Sequence, residues 1–175
     1  MADMQLIHCT SKLQKEMGLK KADLCEVSPK FSYLGSWHAN LLYIDRRKCV
    51  LFANDKTLFN FIATDVSRAQ IRELGELFKG MLSCVLSDEG FNEAAKDKIL
   101  SEYEELGFAK SNSKSVLGSM TDLAFHYKNL IQDAGGVHSY AVPGIIRQLN
   151  RMPMGAIGYG FPIKGLRAMF DAPSK

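Results

Sequence analysis

The chain has 175 residues, of which 46% are apolar and 23% are charged, and its formal net charge is +3. This composition is that of an average globular protein and excludes a disordered or fibrous chain. The length fits a single globular domain over residues 1–175. No run approaches the roughly 18 continuous apolar residues that a bilayer requires, and MADMQLIHCTSK lacks the pattern of a secretory signal. We therefore expect a cytoplasmic protein without membrane contact.

The four cysteines, at positions 9, 25, 49 and 84, are too widely spaced for a CxxC element. A chain of this length does not need disulfide bonds, so reduced thiols are expected. Cys9, Cys49 and Cys84 each lie in an apolar run and are predicted to fill the core. The sequence predicts no metal and no cofactor.

The N-terminal part begins with MQLIHC, residues 4–9, which predicts a strand. SKLQKEMGL then has the features of a short helix that ends at Gly18. Residues 20–36 contain Pro29 and Gly35 and are predicted to form a surface loop with at most one helical turn.

A β-hairpin is predicted next, because WHANLLYI and CVLFAN are rich in aromatic and branched residues and flank four polar ones, Asp45 to Lys48. TLFNFIAT is a further apolar run of strand length. The three runs together predict an antiparallel meander over about 38–64. A helix that begins at Thr57 is the alternative for the third run.

Two helices follow. Ser67 and Gln70 form a capping-box pair before apolar residues at helical spacing, which predicts a helix to about residue 86. Asn92 is predicted to cap a second, more polar helix that ends at Gly107.

The last third predicts one strand and three helices. LGFAKS is predicted to be the strand, and Ser115 is predicted to cap a long helix. Pro143 lies in the first turn of a second helix, and IKGLRAMF is predicted to form the third. No βαβ unit repeats. We predict an α+β fold with a mostly antiparallel sheet of four to five strands, covered by five to six helices.

Charge is distributed unevenly along the chain. Residues 67–106 carry five Lys or Arg and nine Asp or Glu, which gives a net charge of −4. Residues 138–175 carry five Lys or Arg and one Asp, which gives a net charge of +4. Acidic and basic helices could lie side by side and neutralise each other, or the cations could form a binding face.

The hairpin supplies the first candidate binding residues. Arg46, Arg47 and Lys48 lie at its tip, with Trp37 and Tyr43 on the first strand. Arginine grips phosphate and aromatic rings stack on bases, as in sheet-based RNA-binding proteins. The alternative is a solvated turn above core aromatic residues.

Two later segments could also bind an anion. SVLGS follows Lys114 at a predicted helix N-terminus, where free amides and the helix dipole favour negative charge; a simple helix cap is the alternative. NRMPMGAIGYGFP, residues 150–162, is glycine-rich but matches no phosphate-loop pattern. Its apolar side chains favour a strap that covers the core.

Ser119, Asp122 and His126 are spaced three and four residues apart on one predicted helix and are expected on its polar face. They have the residue types of a hydrolytic triad, but side chains along one helix rarely reach triad geometry. Asp122 and His126 could instead supply half of a metal site, although no second pair is evident.

WHANLLYIDRRKCVLFANDKTLF, NSKSVLGSMTDLAFHY and LNRMPMGAIGY together resemble an uncharacterised bacterial and archaeal family of unknown function. The blocks occur in the same order across nearly the whole chain. The resemblance implies a single domain and no mechanism. It also leads us to expect arginine and asparagine where this chain has Lys114 and Asp122.

The leading hypothesis is a non-enzymatic module that binds an anionic ligand, a nucleic acid or a nucleotide, through a basic face. Its candidate residues are Arg46, Arg47, Lys48, Lys56, Asn112, Lys114, Ser115, Arg147 and Arg151. One alternative is a small hydrolase or phosphoesterase centred on His126 and Asp122, with Ser119 as a weaker candidate. Another is an antitoxin-like protein partner that uses the exposed Met and aromatic residues near 152–161.

Overall fold

The computed structural model describes residues 4–26 and 31–171. Its sheet has five strands, which are Gln5–Cys9 (β1), Trp37–Ile44 (β2), Arg47–Asn54 (β3), Asn60–Ala63 (β4) and Leu106–Lys110 (β5). Their order across the sheet is β4-β3-β2-β1-β5. β1 is parallel to β2 and to β5, whereas β2–β3 and β3–β4 are antiparallel. The sheet is therefore mixed, not mostly antiparallel as predicted.

Seven α-helices surround the sheet within the described residues, against five to six predicted, and the α+β class is confirmed. They are Ser11–Met17 (α1), Arg68–Arg72 (α2), Leu74–Asp88 (α3), Glu93–Ser101 (α4), Lys114–Asp133 (α5), Val142–Leu149 (α6) and Pro162–Asp171 (α7). Short 3₁₀ turns cover Lys21–Asp23 and Gly155–Ile157. Residues 27–30 of the predicted loop lie outside the described residues.

The hairpin is confirmed, with a tighter turn than predicted. Asp45 and Arg46 both have positive φ, 49° and 65°, which is the backbone of a two-residue turn that matches the twist of paired strands. Arg47 and Lys48 are therefore already in β3. The third strand is also confirmed, although it begins only at Asn60, and the helix alternative at Thr57 is wrong.

Helix boundaries differ from the predictions where the backbone changes direction. The helix capped by Ser67 breaks at Glu73, whose ψ is 47°, so α2 and α3 are separate. The helix capped by Asn92 ends at Ser101, because residues from Leu106 onwards pair with β1. Ser113 caps α5, not Ser115, and accepts a hydrogen bond from the N–H of Val116.

The two sheet faces differ in chemistry. Trp37, Phe52 and Phe61 project from what we call the aromatic face, where Phe78 of α3 lies 5.1 Å from Trp37 between ring centroids. The opposite face, which we call the histidine face, carries His8 and His38. Buried apolar side chains from both faces form one hydrophobic cluster.

Core predictions for cysteine are correct at two of three positions. Cys9 and Cys49 are buried, but Cys84 is exposed, because it lies beside the buried stripe of α3 that contains Phe78, Leu82 and Val85. All four cysteines are free thiols. No helix of residues 4–26 and 31–171 combines the length and apolar character that crossing a bilayer requires.

Candidate functional site

Two histidines on neighbouring strands form the centre of the candidate site. The parallel register of β1 and β2 sets His8 beside His38, so both side chains leave the same face. Their rings stack with centroids 4.8 Å apart and an angle of 24° between the planes. Both residues are nearly inaccessible to solvent, at 7% and 0% exposure, which is unusual for polar side chains in a strand.

Hydrogen bonds define the chemical roles of the two rings. Nδ1 of His8 lies 2.9 Å from the carbonyl oxygen of Lys110, and because a carbonyl only accepts, Nδ1 donates. Nδ1 of His38 lies 2.7 Å from Oδ1 of Asp55, and Nε2 of His38 accepts from the N–H of Asn112 at 3.4 Å. Within the described residues, Nε2 of His8 has no hydrogen-bond partner. It is the group of this pair that remains available to a ligand.

A cavity of about 680 Å³ lies directly beside His8. Leu6, His8 and Ala109 line it from the histidine face of β1 and β5. Leu24 and Cys25 also line it, together with five polar or charged residues, Gln14, Lys21, Glu26, Lys110 and Asn112. This volume is in the range of small-molecule sites, which is about 300 to 1,000 Å³.

The chain topology explains why a crevice opens here. α1, which follows β1, packs on the aromatic face, where Met17 contacts Cys9 through their sulfur atoms at 4.0 Å. α5, which follows β5, packs on the histidine face, where the Tyr127 hydroxyl donates to Oδ1 of Asn60 at 2.6 Å. Since these connections leave the two neighbouring parallel strands toward opposite faces of the sheet, a crevice lies outside the carboxyl ends of β1 and β5, the usual ligand position in such sheets.

One wall of the cavity depends on a glycine. The N–H of Cys25 donates to the carbonyl of Phe108 at 2.8 Å, which holds the segment after α1 against the outer edge of β5. A Cβ atom at Gly107 would lie only 2.8 Å from Sγ of Cys25. The absence of a side chain at this position therefore allows the close approach that forms the wall.

Short polar contacts order the ends of the strands around the crevice. The Thr10 hydroxyl donates to Oδ1 of Asn40 at 2.8 Å, and Nε2 of Gln14 donates to the carbonyl of Cys9 at 2.7 Å. These bonds connect β1, α1 and β2 at the crevice. Because these hydrogen bonds fix the side chains, the geometry of the crevice is set before a ligand binds.

The predicted anion-binding residues lie in several separate places. Asn112 lines the cavity, and Lys114 and Ser115 follow it in the exposed first turn of α5. Arg46 is exposed at the hairpin turn, and Nζ of Lys56 donates to Oγ of Ser32 and to the carbonyl of Tyr33, both at 3.1 Å.

The remaining predicted cations contact other groups of the chain. Arg47 lies 3.5 Å from Asp65, Lys48 pairs with Glu16, and Arg151 holds Glu89 through two hydrogen bonds of 2.9 and 2.7 Å. The carbonyl of Arg147 accepts a hydrogen bond from Arg151. The basic-face hypothesis thus stays a prediction, and the side chains of four of its nine residues, Arg47, Lys48, Lys56 and Arg151, have partners within the described chain.

Ser119, Asp122 and His126 all lie on α5, but not on one polar face. Ser119 is buried in the helix interface, whereas Asp122 is exposed and His126 is half-buried beside the ring of Phe125. In the glycine-rich segment, Met154 is buried but Tyr159 is 76% exposed, so the segment covers the core only in part. The hydrolase and protein-partner hypotheses stay predictions.

His8, His38 and Asp55 were absent from the residues predicted to form a site. The signal available in the sequence was a histidine inside each of two apolar strands, LIHC and WHAN, where a polar residue needs a buried partner. Within 4–26 and 31–171, no three His, Cys, Asp or Glu side chains group closely enough to hold a metal ion.

The fold and the site define a class: a small α+β domain with a mixed sheet and a polar crevice beside a buried histidine pair. The chain belongs to the family described as Domain of unknown function (DUF6933), whose model matches residues 6–165. This match confirms the resemblance to a family of unknown function that the three sequence blocks indicated. No curated protein matches the chain.

Proposed function

We propose that the protein binds a small anionic molecule, of about the size of a nucleotide, in the crevice beside His8. The observation that carries this proposal is the 680 Å³ cavity at the carboxyl ends of β1 and β5, with an unpaired ring nitrogen of His8 among the described residues that line it. A ligand oxygen could accept from Nε2 when the ring is protonated, and a ligand N–H or O–H could donate to it when the ring is neutral.

The charge around the crevice supports an anionic ligand. Among the described residues that line it, two are lysines, Lys21 and Lys110, and one is acidic, Glu26. The 20-residue helix α5 begins two residues after Asn112, and the positive end of its dipole adds to the local potential. We also propose a cytoplasmic location, where the free thiols of the chain would stay reduced.

We propose that the histidine pair has a binding role in the crevice. His38 is fully buried, and in the neutral ring both nitrogens are engaged, by Asp55 and by the Asn112 amide. Asp55 therefore holds the ring of His38, the stacked ring of His38 positions His8, and His8 contacts the ligand.

A thermal-shift and calorimetric titration tests the proposal. The probes are inorganic phosphate, AMP, ATP and citrate, and a ligand at about 100 times its Kd should stabilise the native state by about 2.7 kcal/mol. His8→Gln should reduce or abolish the shift, whereas His138→Gln, at a histidine 74% exposed beside Asp65, should leave it unchanged. The proposal fails if none of the probes binds at about 10 mM, a concentration that would detect even Kd values in the millimolar range, or if His8→Gln binds as the unaltered protein does.

A further inference from the structure

A second concave surface lies away from the His8 crevice, between the glycine-rich segment and α7. It is a groove of about 560 Å³, and Thr57 and Gly165 approach each other closely at one side of it. Tyr159, Phe161 and Lys164 line it together with Lys56. Among the described residues that line the groove, none is Asp or Glu.

The backbone of the glycine-rich segment holds Tyr159 outward. The N–H of Tyr159 donates to the carbonyl of Met154 at 2.9 Å, and the N–H of Met154 donates to the carbonyl of Gly160 at 3.0 Å, which closes a tight loop. Gly158 and Tyr159 have φ of 64° and 61°, so a bulky residue occupies the left-handed region. Since the ring is 76% exposed, its burial does not offset this strain. Strained residues of this kind are concentrated at ligand-binding positions.

Ammonium groups lie next to the aromatic rings. Nζ of Lys164 is 4.9 Å from the centroid of the Phe161 ring. Nζ of Lys56 is held by the carbonyl of Tyr33 and by the hydroxyl of Ser32, both at 3.1 Å, and it forms no ion pair within the described part of the chain. Positive charge is therefore fixed along the groove.

The same pattern continues beyond the groove through Lys56. The ring of Tyr33 is 40% exposed, and Nζ of Lys98 lies 5.2 Å from its centroid. Phe170 contacts Tyr33 edge-on, with ring centroids 5.1 Å apart, and is the neighbour in sequence of Met169, which lines the groove. We call this continuous surface the aromatic-lysine stripe; it comprises Tyr33, Lys56, Lys98, Tyr159, Phe161 and Lys164.

One carboxylate lies beside the stripe. Glu102 accepts hydrogen bonds from the backbone N–H groups of Tyr33, Leu34 and Gly35, at 2.8, 2.8 and 2.9 Å. These three amide dipoles stabilise its charge locally, and the carboxylate points into the turn. Glu102 therefore directs its charge at these backbone amides, next to the three lysines of the stripe.

We propose that the aromatic-lysine stripe binds single-stranded nucleic acid. Bases would stack on the exposed rings of Tyr159 and Tyr33, and phosphates would contact Lys164, Lys56 and Lys98. Aromatic rings beside cations are the combination that binds unpaired nucleotides, because every base has a face for stacking and every phosphate has a charge. A duplex has no unstacked bases to offer and should bind poorly.

Fluorescence anisotropy with a labelled single-stranded oligonucleotide of about 12 nucleotides tests this proposal. We expect binding at about 50 mM salt that weakens steeply at about 200 mM. Tyr159→Ala should raise the Kd by about tenfold or more, and Tyr159→Phe should retain affinity, because the ring is kept. Lys164→Gln should reduce the salt dependence. Tyr140→Ala is the matched control, since Tyr140 is a fully exposed tyrosine outside the stripe.

The proposal would be overturned by no binding of the single strand at about 50 mM salt, by equal affinity for a duplex, or by equal effects of Tyr159→Ala and Tyr140→Ala. Tyr159→Gly, which suits the left-handed backbone, provides a second variant without the ring if alanine disturbs the loop. His8→Gln should leave oligonucleotide binding unchanged, so a failure here is distinct from a failure of the crevice proposal. The proposal would also be overturned if AMP displaced the oligonucleotide and the stripe bound both with equal affinity.

Discussion

The side-chain amide of Asn150 pairs with the backbone of Asn60 as a neighbouring strand would. Its Oδ1 accepts from the Asn60 N–H at 2.9 Å, and its Nδ2 donates to the Asn60 carbonyl at 2.7 Å. Both residues are fully buried, at the start of the edge strand β4. The glycine-rich segment, which begins with Asn150, is thereby attached to the sheet.

We expect Asn150→Ala to destabilise the protein by about 2–4 kcal/mol, because it leaves the buried N–H and carbonyl of Asn60 unpaired. Asn150→Leu, which keeps the volume, should lose a similar amount. Urea unfolding measures both, and Asn129→Ala on the exposed face of α5 is the control, expected within about 0.5 kcal/mol of the unaltered protein. If the free energy of unfolding of Asn150→Leu were close to that of the unaltered protein, the side-chain volume at this position, and not its hydrogen bonds, would be what stabilises the fold.

The pair of Arg151 and Glu89 gives a second prediction. The Glu89 side chain is completely buried, and the fork of Arg151 satisfies both of its oxygens, which also raises the pKa of Arg151 above its usual range. Arg151→Met should cost about 1–3 kcal/mol, less than for a fully buried pair, because Arg151 is 44% exposed and Arg167 still approaches Glu89 at 3.7 Å. Lys128→Met on the surface of α5 is the control. An additional Glu89→Gln change should recover part of the loss in Arg151→Met; no recovery would contradict a role for the unpaired charge.

Stability should also depend on the protonation of Glu16. Its pKa is lowered by a hydrogen bond from Lys48, and further by Arg68, while partial burial acts in the opposite direction. A lowered pKa means that the carboxylate stabilises the fold above the unfolded-state pKa of about 4.3 and that this contribution is lost as the pH falls through the folded-state value.

The difference in unfolding free energy between the unaltered protein and Glu16→Gln should therefore shrink as the pH is lowered from about 6 to about 3. Urea unfolding over this pH series measures it. A difference that is constant with pH would contradict the assigned role of the Lys48 contact.

Thiol reactivity should distinguish the buried Cys9 and Cys49 from the exposed Cys84. Burial raises the pKa of Cys9 to about 12, and burial likewise raises the pKa of Cys49. Because the thiolate is the reactive form, both should resist alkylation in the native state, whereas the exposed Cys84 should react readily. Peptide mapping after iodoacetamide treatment at about pH 8, near the pKa of a free thiol, measures the order. Equal labelling of Cys9 and Cys84 without denaturant would contradict it, and labelling in urea provides the reference for full reactivity.

Local patterns in the sequence determined much of this protein. The hairpin of β2 and β3, the caps at Ser67 and Asn92, and the apolar stripe of α5 were all readable, because each depends on residues within a few positions of one another. The same patterns predicted the cap of α5 at Ser115, two residues after the actual cap at Ser113, and a helix that continued through Glu73. Local sequence alone does not fix a helix boundary to within one or two residues.

Tertiary structure alone decided the sheet order and the candidate site. The pairing of Gln5 with Leu106 joins segments about a hundred positions apart, and no local periodicity encodes which strands become neighbours or whether they run parallel. His8 and His38 each looked like an isolated polar residue in an apolar strand. They became a stacked pair beside a cavity only because the parallel register of β1 and β2 brought them together and because α1 and α5 left the sheet on opposite faces.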